Sequence, residues 1–362
     1  MLKADYRKHT LQFTFQAGTS RGVMTERDTY FVKLWQTASP EVCGLGECAP
    51  LPGLSVDDVP DYESHLQRVC AQINGGLGFS KVANRDESGN TILERVGAAF
   101  PSMQFGFETA LLDLQNGGKR MMFDTPFSRG AAGMEINGLV WMGTETFMRQ
   151  QIDAKLAAGF RCLKLKIGAI DFDRECALLH RIRQHYPPEQ ITLRVDANGA
   201  FAPEKALEKL KRLSEYALHS IEQPIKAGQI EAMASLCAAT PLPIALDEEL
   251  IGVRQNDGKK QLLEAIRPQF IILKPSLLGG FAHCHEWVGL AENQRIGWWI
   301  TSALESNIGL NAIAQFTATY RNPLPQGLGT GQLYYNNIAS PLEIRGGFLH
   351  YDPAGEWQNA PF

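Results

Sequence analysis

The chain has 362 residues, 44% hydrophobic and 20% charged, with 35 basic side chains against 39 acidic ones for a net charge of −4. That composition belongs to a globular protein with a sizeable core, not to a disordered or fibrous one, and the length suits one β/α barrel with a smaller attached unit. Without a basic excess or any run of five like charges the chain has no face for nucleic acid, and without about 18 consecutive apolar residues it has no segment to span a membrane.

Met1 to Lys8 mixes charges and lacks the apolar stretch of a signal peptide, so a cytoplasmic location is expected. Thr10 to Phe15 and Tyr30 to Gln36 alternate in polarity around a Gly-Thr-Ser-Arg-Gly loop, and a third such run ends at Glu47. Together they predict an antiparallel meander. After Pro50-Leu51-Pro52-Gly53-Leu54, Ser55 is suited to cap a helix with Asp57 and Asp58 in its first turn, and helical patterning continues to Leu114. Residues 1–105 thus read as an α+β capping domain, 106–334 as the catalytic domain, and about 335–362 as a tail packing back on the cap.

From Asn137 the pattern changes to short apolar strands, each followed by a helix-length amphipathic stretch. The strands are Gly138 to Trp141, Cys162 to Ile167, Thr192 to Asp196, Ser220 to Glu222, Ile244 to Asp247, Phe270 to Lys274 and Trp298 to Thr301, with a weak eighth at Gln326 to Gly329. Eight βα units predict an α/β fold of TIM type, a closed (β/α) barrel. The competing doubly wound sheet would need a G-x-G-x-x-G turn after its first strand, and none is present. Seven scattered cysteines without a C-x-x-C pair predict reduced thiols. His283-Cys284-His285-Glu286 has the residue types of a metal site, but it falls where a helix begins after Gly279-Gly280 and reads as a solvated first turn.

Barrel active sites form at the C-terminal ends of the strands, so polar residues closing apolar strands carry weight. Lys166, Asp196, Glu222, Asp247 and Lys274 do so at intervals of 30, 26, 25 and 27 residues, about one βα unit each. They are predicted to stand side by side on one rim. In Leu163-Lys164-Leu165-Lys166-Ile167 strand alternation sends the apolar residues toward the helices and both lysines into the barrel, and the same holds for Arg194 and Asp196. Three clustered carboxylates repel one another unless a cation joins them, and an all-oxygen set suits Mg²⁺, with Mn²⁺ as the alternative. A lysine beside a metal and an apolar wall is expected to have a lowered proton affinity and to act as a base. The chemistry that needs such a base is proton abstraction α to a carboxylate, which implies a small-molecule carboxylate substrate.

Lys164-Leu-Lys166, Asp196-Ala-Asn198, Glu222-Gln-Pro224, Asp247-Glu248 and Lys274-Pro-Ser resemble the enolase superfamily, muconate-lactonising subgroup, over nearly the whole chain. Within it, Gly46-Glu47-Cys-Ala-Pro50-Leu-Pro52-Gly53, Thr301-Ser302-Ala-Leu-Glu305-Ser306-Asn307-Ile-Gly309 and Gly327-Leu-Gly329-Thr-Gly331-Gln332-Leu333 resemble the dehydratases of menaquinone synthesis. The resemblance implies loss of water from 2-succinyl-6-hydroxy-2,4-cyclohexadiene-1-carboxylate to give an aromatic product. It implies that Lys166 removes the α-proton and then protonates the departing hydroxyl, that Lys274 stabilises the anion opposite, and that Asp196, Glu222 and Asp247 hold the metal. It further implies that Lys164 acts on Lys166 or the substrate carboxylate, that Asn198 and Glu248 lie around the metal, and that Thr19 to Met24 forms a lid over the substrate. Ser302, Ser306 and Thr330 are candidates for substrate contact. N-Acylamino acid racemisation, dipeptide epimerisation and muconate cycloisomerisation use the same groups and are the alternatives. Gln326 to Gly331 supplies no carboxylate for a substrate ammonium, which weighs against dipeptides. A non-enzymatic barrel would have no use for both lysines and all three acids.

Overall fold

The computed structural model describes residues 1–19, 22–75, 91–358 and 362. Strands β1 (Leu2–Thr19), β2 (Gly22–Gln36) and β3 (Ser39–Cys48) form the expected antiparallel meander, in the order β1-β2-β3. Ser20 and Arg21, at the centre of the expected lid, lie outside the described residues. Helices α1 (Tyr62–Asn74), α2 (Ile92–Val96) and α3 (Pro101–Gln115) follow, and Val32, Leu34, Leu66, Val69, Met103 and Phe107 make the core between them and the sheet. A Cβ at Gly44 or Gly46 would lie 1.9 Å from the carbonyl oxygens of Ala110 and Gly106, so β3 and α3 touch backbone to backbone.

Ser55 does not start a helix. Its Oγ accepts from Leu51 N (2.7 Å), Asp58 accepts from Gly53 N (2.8 Å), and Asp57 accepts from Ser102 N and Oγ (2.8 and 2.6 Å). These side chains tie a loop, because Pro60 disfavours the helical region for Val59 and delays the helix to Tyr62.

The remainder is β4 (Met134–Glu135), β5 (Gly138–Val140), α4 (Glu145–Ala157), β6 (Cys162–Lys166), α5 (Phe172–His185), β7 (Thr192–Asp196), α6 (Pro203–Ser214), β8 (Ser220–Glu222), α7 (Ile230–Ala239), β9 (Ile244–Leu246), α8 (Asn256–Ile266), β10 (Phe270–Leu273), α9 (Pro275–Leu278), α10 (Phe281–Asn293), β11 (Gly297–Ile300), α11 (Asn307–Thr317), β12 (Leu342–Arg345) and β13 (Phe348–Tyr351). Strands β5 to β11 form a parallel sheet in sequence order. The weak eighth strand survives as two bridges, Thr301 to Gly327 and Ile136 to Gln326, carried by Gly327 N to Ile300 O (2.8 Å) and Asn137 N to Gln326 O (2.9 Å). It joins β11 back to β5 and closes the ring. Pro323, Pro325, Gly327 and Gly329 around it explain why no longer ladder forms.

Alternation works as expected. Leu163, Leu165, Leu193, Val195, Ile271 and Leu273 face outward into a core shared with Leu179, Leu210, Leu263 and Trp287 of the helices. Ala245, Ile272 and Trp299 point inward, where the Arg194 guanidinium stacks 4.0 Å from the Trp299 ring. After Leu333 the tail runs along β1, with Tyr335 N donating to Gln12 O (3.0 Å), and its hairpin β12–β13 then pairs with β4.

The His283 segment does open a helix, α10, but it is not simply solvated. His283 and Glu286 bracket the fully buried Lys259, at 3.1 and 2.5 Å from its Nζ, and Arg254 donates to the other ring nitrogen of His283 (2.9 Å). Cys284 points into the core, and all seven cysteines are free. Among the described residues no helix is long and apolar enough to cross a membrane.

Candidate active site

Strand register brings the predicted rim together. Lys166, Asp196 and Glu222 are direct neighbours across β6, β7 and β8. Glu222 is level with Ala245, so Asp247 stands one pleat higher, and Lys274 stands one pleat above Ile272 in the same way. Lys166 and Lys274 close strands four places apart in a ring of eight, and so face each other across the barrel mouth.

Six ionisable groups meet there almost without water. Asp196, Glu222 and Asp247 are 1–2% exposed, and Lys164 and Lys166 are 8 and 9% exposed. Lys164 Nζ lies 3.0 Å from Asp196 Oδ2 and 2.5 Å from Glu222 Oε2, Lys166 Nζ lies 3.2 Å from Asp196 Oδ2, and Lys274 is bonded to Asp247 Oδ2. Burial by itself would raise the Asp196 carboxyl, but Lys164, Lys166 and Lys274 hold it below the usual carboxylate range. Glu222 goes the other way: burial, then the neighbouring Asp196 charge, push it up to about 8. Asp247 is also raised by burial.

The expectation of lowered lysine proton affinity is reversed for Lys274, and Lys164 shifts in the same direction. Burial would lower Lys164 and Lys274, but Asp196 and Glu222 around the first, and Asp247 and Glu222 around the second, raise both. Anions at contact distance in a low-dielectric pocket outweigh the desolvation of the ammonium.

Buried ion pairs contribute little net stability, because desolvation cancels most of the Coulomb gain. A cluster of this size therefore points to chemistry. Among the described residues no three acid, imidazole or thiol groups converge on one point, since the acids turn to the ammonium groups. Yet the buried Glu222 Oε1 accepts no hydrogen bond, with Lys274 Nζ 3.9 Å away. Three carboxylates on adjacent strands with an unused buried oxygen fit a hard divalent cation.

Asn198 lies beside this group at a left-handed backbone position (φ 43°). Its Oδ1 accepts from Lys166 Nζ (2.8 Å) and its Nδ2 donates to Glu248 Oε1 (3.0 Å). Glu248 itself opens a short 3₁₀ turn, Glu248–Leu250, past the end of β9. Ser302 Oγ and Thr330 Oγ1 are 2.7 Å apart on the cavity wall. Ser306 is not on that wall: its hydroxyl donates to Glu47 (2.6 Å) and caps α11.

The cavity above the rim is lined by Lys164, Lys166, Asp196, Asn198 and Lys274 below, by Trp141, Thr301 and Ser302 at the side, and by Met24, Leu51 and Leu54 from the N-terminal unit. Sequence reasoning missed Trp141, whose ring lies 6.0 Å from Lys166 Nζ, although it closes the first barrel strand and so carried the same positional signal. It also gave Gln223 no part of its own. That residue, at φ 39°, accepts from Asp247 N (3.2 Å) and donates to Glu249 Oε2 (3.0 Å), latching the ends of β8 and β9 together. No sequence signal marks that role.

Comparison with known proteins places these observations. Residues 147–355 match the family described as enolase C-terminal domain-like. The chain is 49% identical to an o-succinylbenzoate synthase of Desulfotalea psychrophila, over 96% of its own length and 98% of that protein's. It is also similar to the crystal structure of MenC from Desulfotalea psychrophila LSv54, with a TM-score of 0.83 and 45% identity, over 96% of this chain and 99% of that one. An L-Ala-D/L-Glu epimerase of Bacillus subtilis is 26% identical over 77% of this chain and 75% of its own.

Proposed function

The chain belongs to the enolase superfamily, through its enolase C-terminal domain-like barrel, and from that premise we propose that it is an o-succinylbenzoate synthase. The observation that carries the reading is the ion-paired cluster of lysines 164, 166 and 274 with acids 196, 222 and 247 at one barrel mouth, in a chain half identical to a protein of that name. The enzyme is a hydro-lyase acting on 2-succinyl-6-hydroxy-2,4-cyclohexadiene-1-carboxylate. The C1–H and C6–O bonds break, proton and hydroxyl leave as water, and the ring becomes aromatic.

Lys166 takes the proton next to the ring carboxylate and passes a proton to the hydroxyl as it departs on the same face. Lys274, opposite, stays charged beside Asp247 and offsets the negative charge that develops on the carboxylate. Asp196, Glu222 and Asp247 would hold a divalent cation, Mg²⁺ or Mn²⁺. Such an ion, when bound, would offset the negative charge that builds up on the substrate carboxylate as the proton leaves. Lys164 keeps Asp196 ionised and opposes the upward shift of Glu222, and Asn198 orients the Lys166 amine, with Glu248 holding Asn198 in turn. Ser302 and Thr330 offer hydroxyl groups to the substrate. Residues 1–105 cap the barrel of residues 106–334, and Met24, Leu51 and Leu54 exclude water from above. The reaction is placed in menaquinone biosynthesis, in the cytoplasm.

The segment Gln326 to Gly331 carries no acid, which disfavours a cationic dipeptide substrate. The test is to mix the protein and Mg²⁺ with the cyclohexadiene and follow the appearance of the aromatic absorbance. Metal-dependent turnover supports the assignment. Failure to dehydrate it, combined with racemisation of N-acylamino acids in deuterated water, would reject it in favour of the racemase.

A further inference from the structure

The wall of the cavity formed by the loop after β11 is not held by the barrel alone. Arg27 of β2 is 2% exposed, and the Glu305 carboxylate feels its charge without being among its hydrogen-bond partners. Its guanidinium is spent on four backbone carbonyls. Nη1 donates to Ala303 O (2.7 Å) and Leu304 O (2.9 Å), and Nη2 to Ala49 O (2.9 Å) and Pro50 O (3.2 Å). The first pair belongs to the loop after β11 and the second to the loop after β3. Those loops supply Ser302, Ala303 and Leu304 to the cavity lining from the barrel, and Leu51 and Leu54 from the N-terminal unit.

The barrel loop needs such support. Leu304 has φ +68°, a left-handed conformation that a leucine rarely adopts. Its carbonyl takes a second hydrogen bond from Tyr334 Oη (2.6 Å), and its N–H donates to Ser302 Oγ (3.0 Å). The same loop is gripped through its N–H groups by Glu47, fully buried at the end of β3. Glu47 accepts from Ser306 N (2.9 Å), Ser306 Oγ (2.6 Å) and Gly309 N (2.9 Å), at the positive end of α11. A cation on the carbonyls and an anion on the amides divide the work according to charge.

We propose that Arg27, with Glu47 as its counterpart, is a positioning residue for substrate binding: it sets the spacing between the two cavity walls without touching the cavity. Burying a guanidinium is costly, and although the buried Glu305 carboxylate feels its charge, its direct partners are four carbonyls that an apolar side chain would leave unpaired. What only arginine supplies is a rigid fork wide enough to reach both loops at once. A lysine is a single point charge and can satisfy one pair of carbonyls but not both.

The proposal rests on the dehydratase reading for its kinetic arm and is independent of it for its structural arm. Arg27→Lys is compared with the unaltered chain and with Tyr334→Phe, which removes one of the bonds to Leu304 O. In the kinetic arm, Arg27→Lys raises KM for the cyclohexadiene about tenfold and leaves kcat within about twofold, because wall spacing governs binding while the lysines and acids of the rim are untouched. In the structural arm, amides 302–305 and those of Leu51, Gly53 and Leu54 exchange with deuterium about tenfold faster, while amides 163–166 keep their rates. Tyr334→Phe moves amides 302–305 in the same direction and by less. Unchanged exchange at both loops in Arg27→Lys, or a loss confined to kcat, overturns the proposal. If the unaltered chain does not dehydrate the substrate, the proposed reaction fails, and the exchange rates alone decide on the clamp.

Discussion

Replacing Glu108 by glutamine should make the protein more stable at neutral pH. Glu108 projects from α3 to the first turn of α10, where its carboxylate accepts from Phe281 N (2.5 Å) and Ala282 N (3.2 Å). Burial pushes its carboxyl up from 4.5 to about 7, although both N–H groups favour the charged form. The folded chain therefore holds this proton more tightly than the unfolded chain does. Its stabilising contribution is complete below about pH 4.5 and is lost as pH rises through about 7. At about 1.4 kcal/mol per pH unit, the loss over this window is about 3 kcal/mol. Glu108→Gln keeps an amide oxygen for both N–H groups and cannot ionise. Urea unfolding followed by circular dichroism at about pH 4.5 and pH 7.5 should show the parent chain losing about 3 kcal/mol more than the variant over that interval. Parallel pH profiles, or a parent chain that gains on the variant as pH rises, would refute the reasoning.

Lys166→Ala should reduce dehydration by a factor of about 10² to 10⁴, the range for loss of a general base, while Mg²⁺ still binds, because the ammonium is no ligand. Turnover and titration calorimetry on one preparation separate the two effects. Glu222→Gln should weaken Mg²⁺ by about 100-fold, since it removes a charged oxygen from an all-carboxylate set. Calorimetry that finds the affinity unchanged would remove Glu222 from the metal site.

Much of this protein could be read from the chain itself. Strand alternation and a repeat close to one βα unit determine which residues reach the rim, because a side chain's face follows from its position in the pleat and its height from where the strand ends. Lys166, Asp196, Glu222, Asp247 and Lys274 were legible for that reason, as were the meander and the barrel. The weak eighth strand was visible only as a place in the count, and its part in closing the ring depends on β5 and β11 lying on either side of it. Ser55 had the chemistry of a cap, but Pro60 and the tertiary partners of Asp57 and Asp58 decided otherwise. The proton affinities of Lys164 and Lys274 depend on which carboxylates come within 4 Å, and those belong to residues at least 27 positions away. Ser306 looked like a substrate contact until Glu47, 259 residues earlier, claimed its hydroxyl. What the sequence determined is local and periodic: faces, strand ends and spacings. What only the tertiary structure decided is which distant groups meet, because hydrogen bonds and Coulomb forces in a dry site depend on distances that no sequence interval encodes.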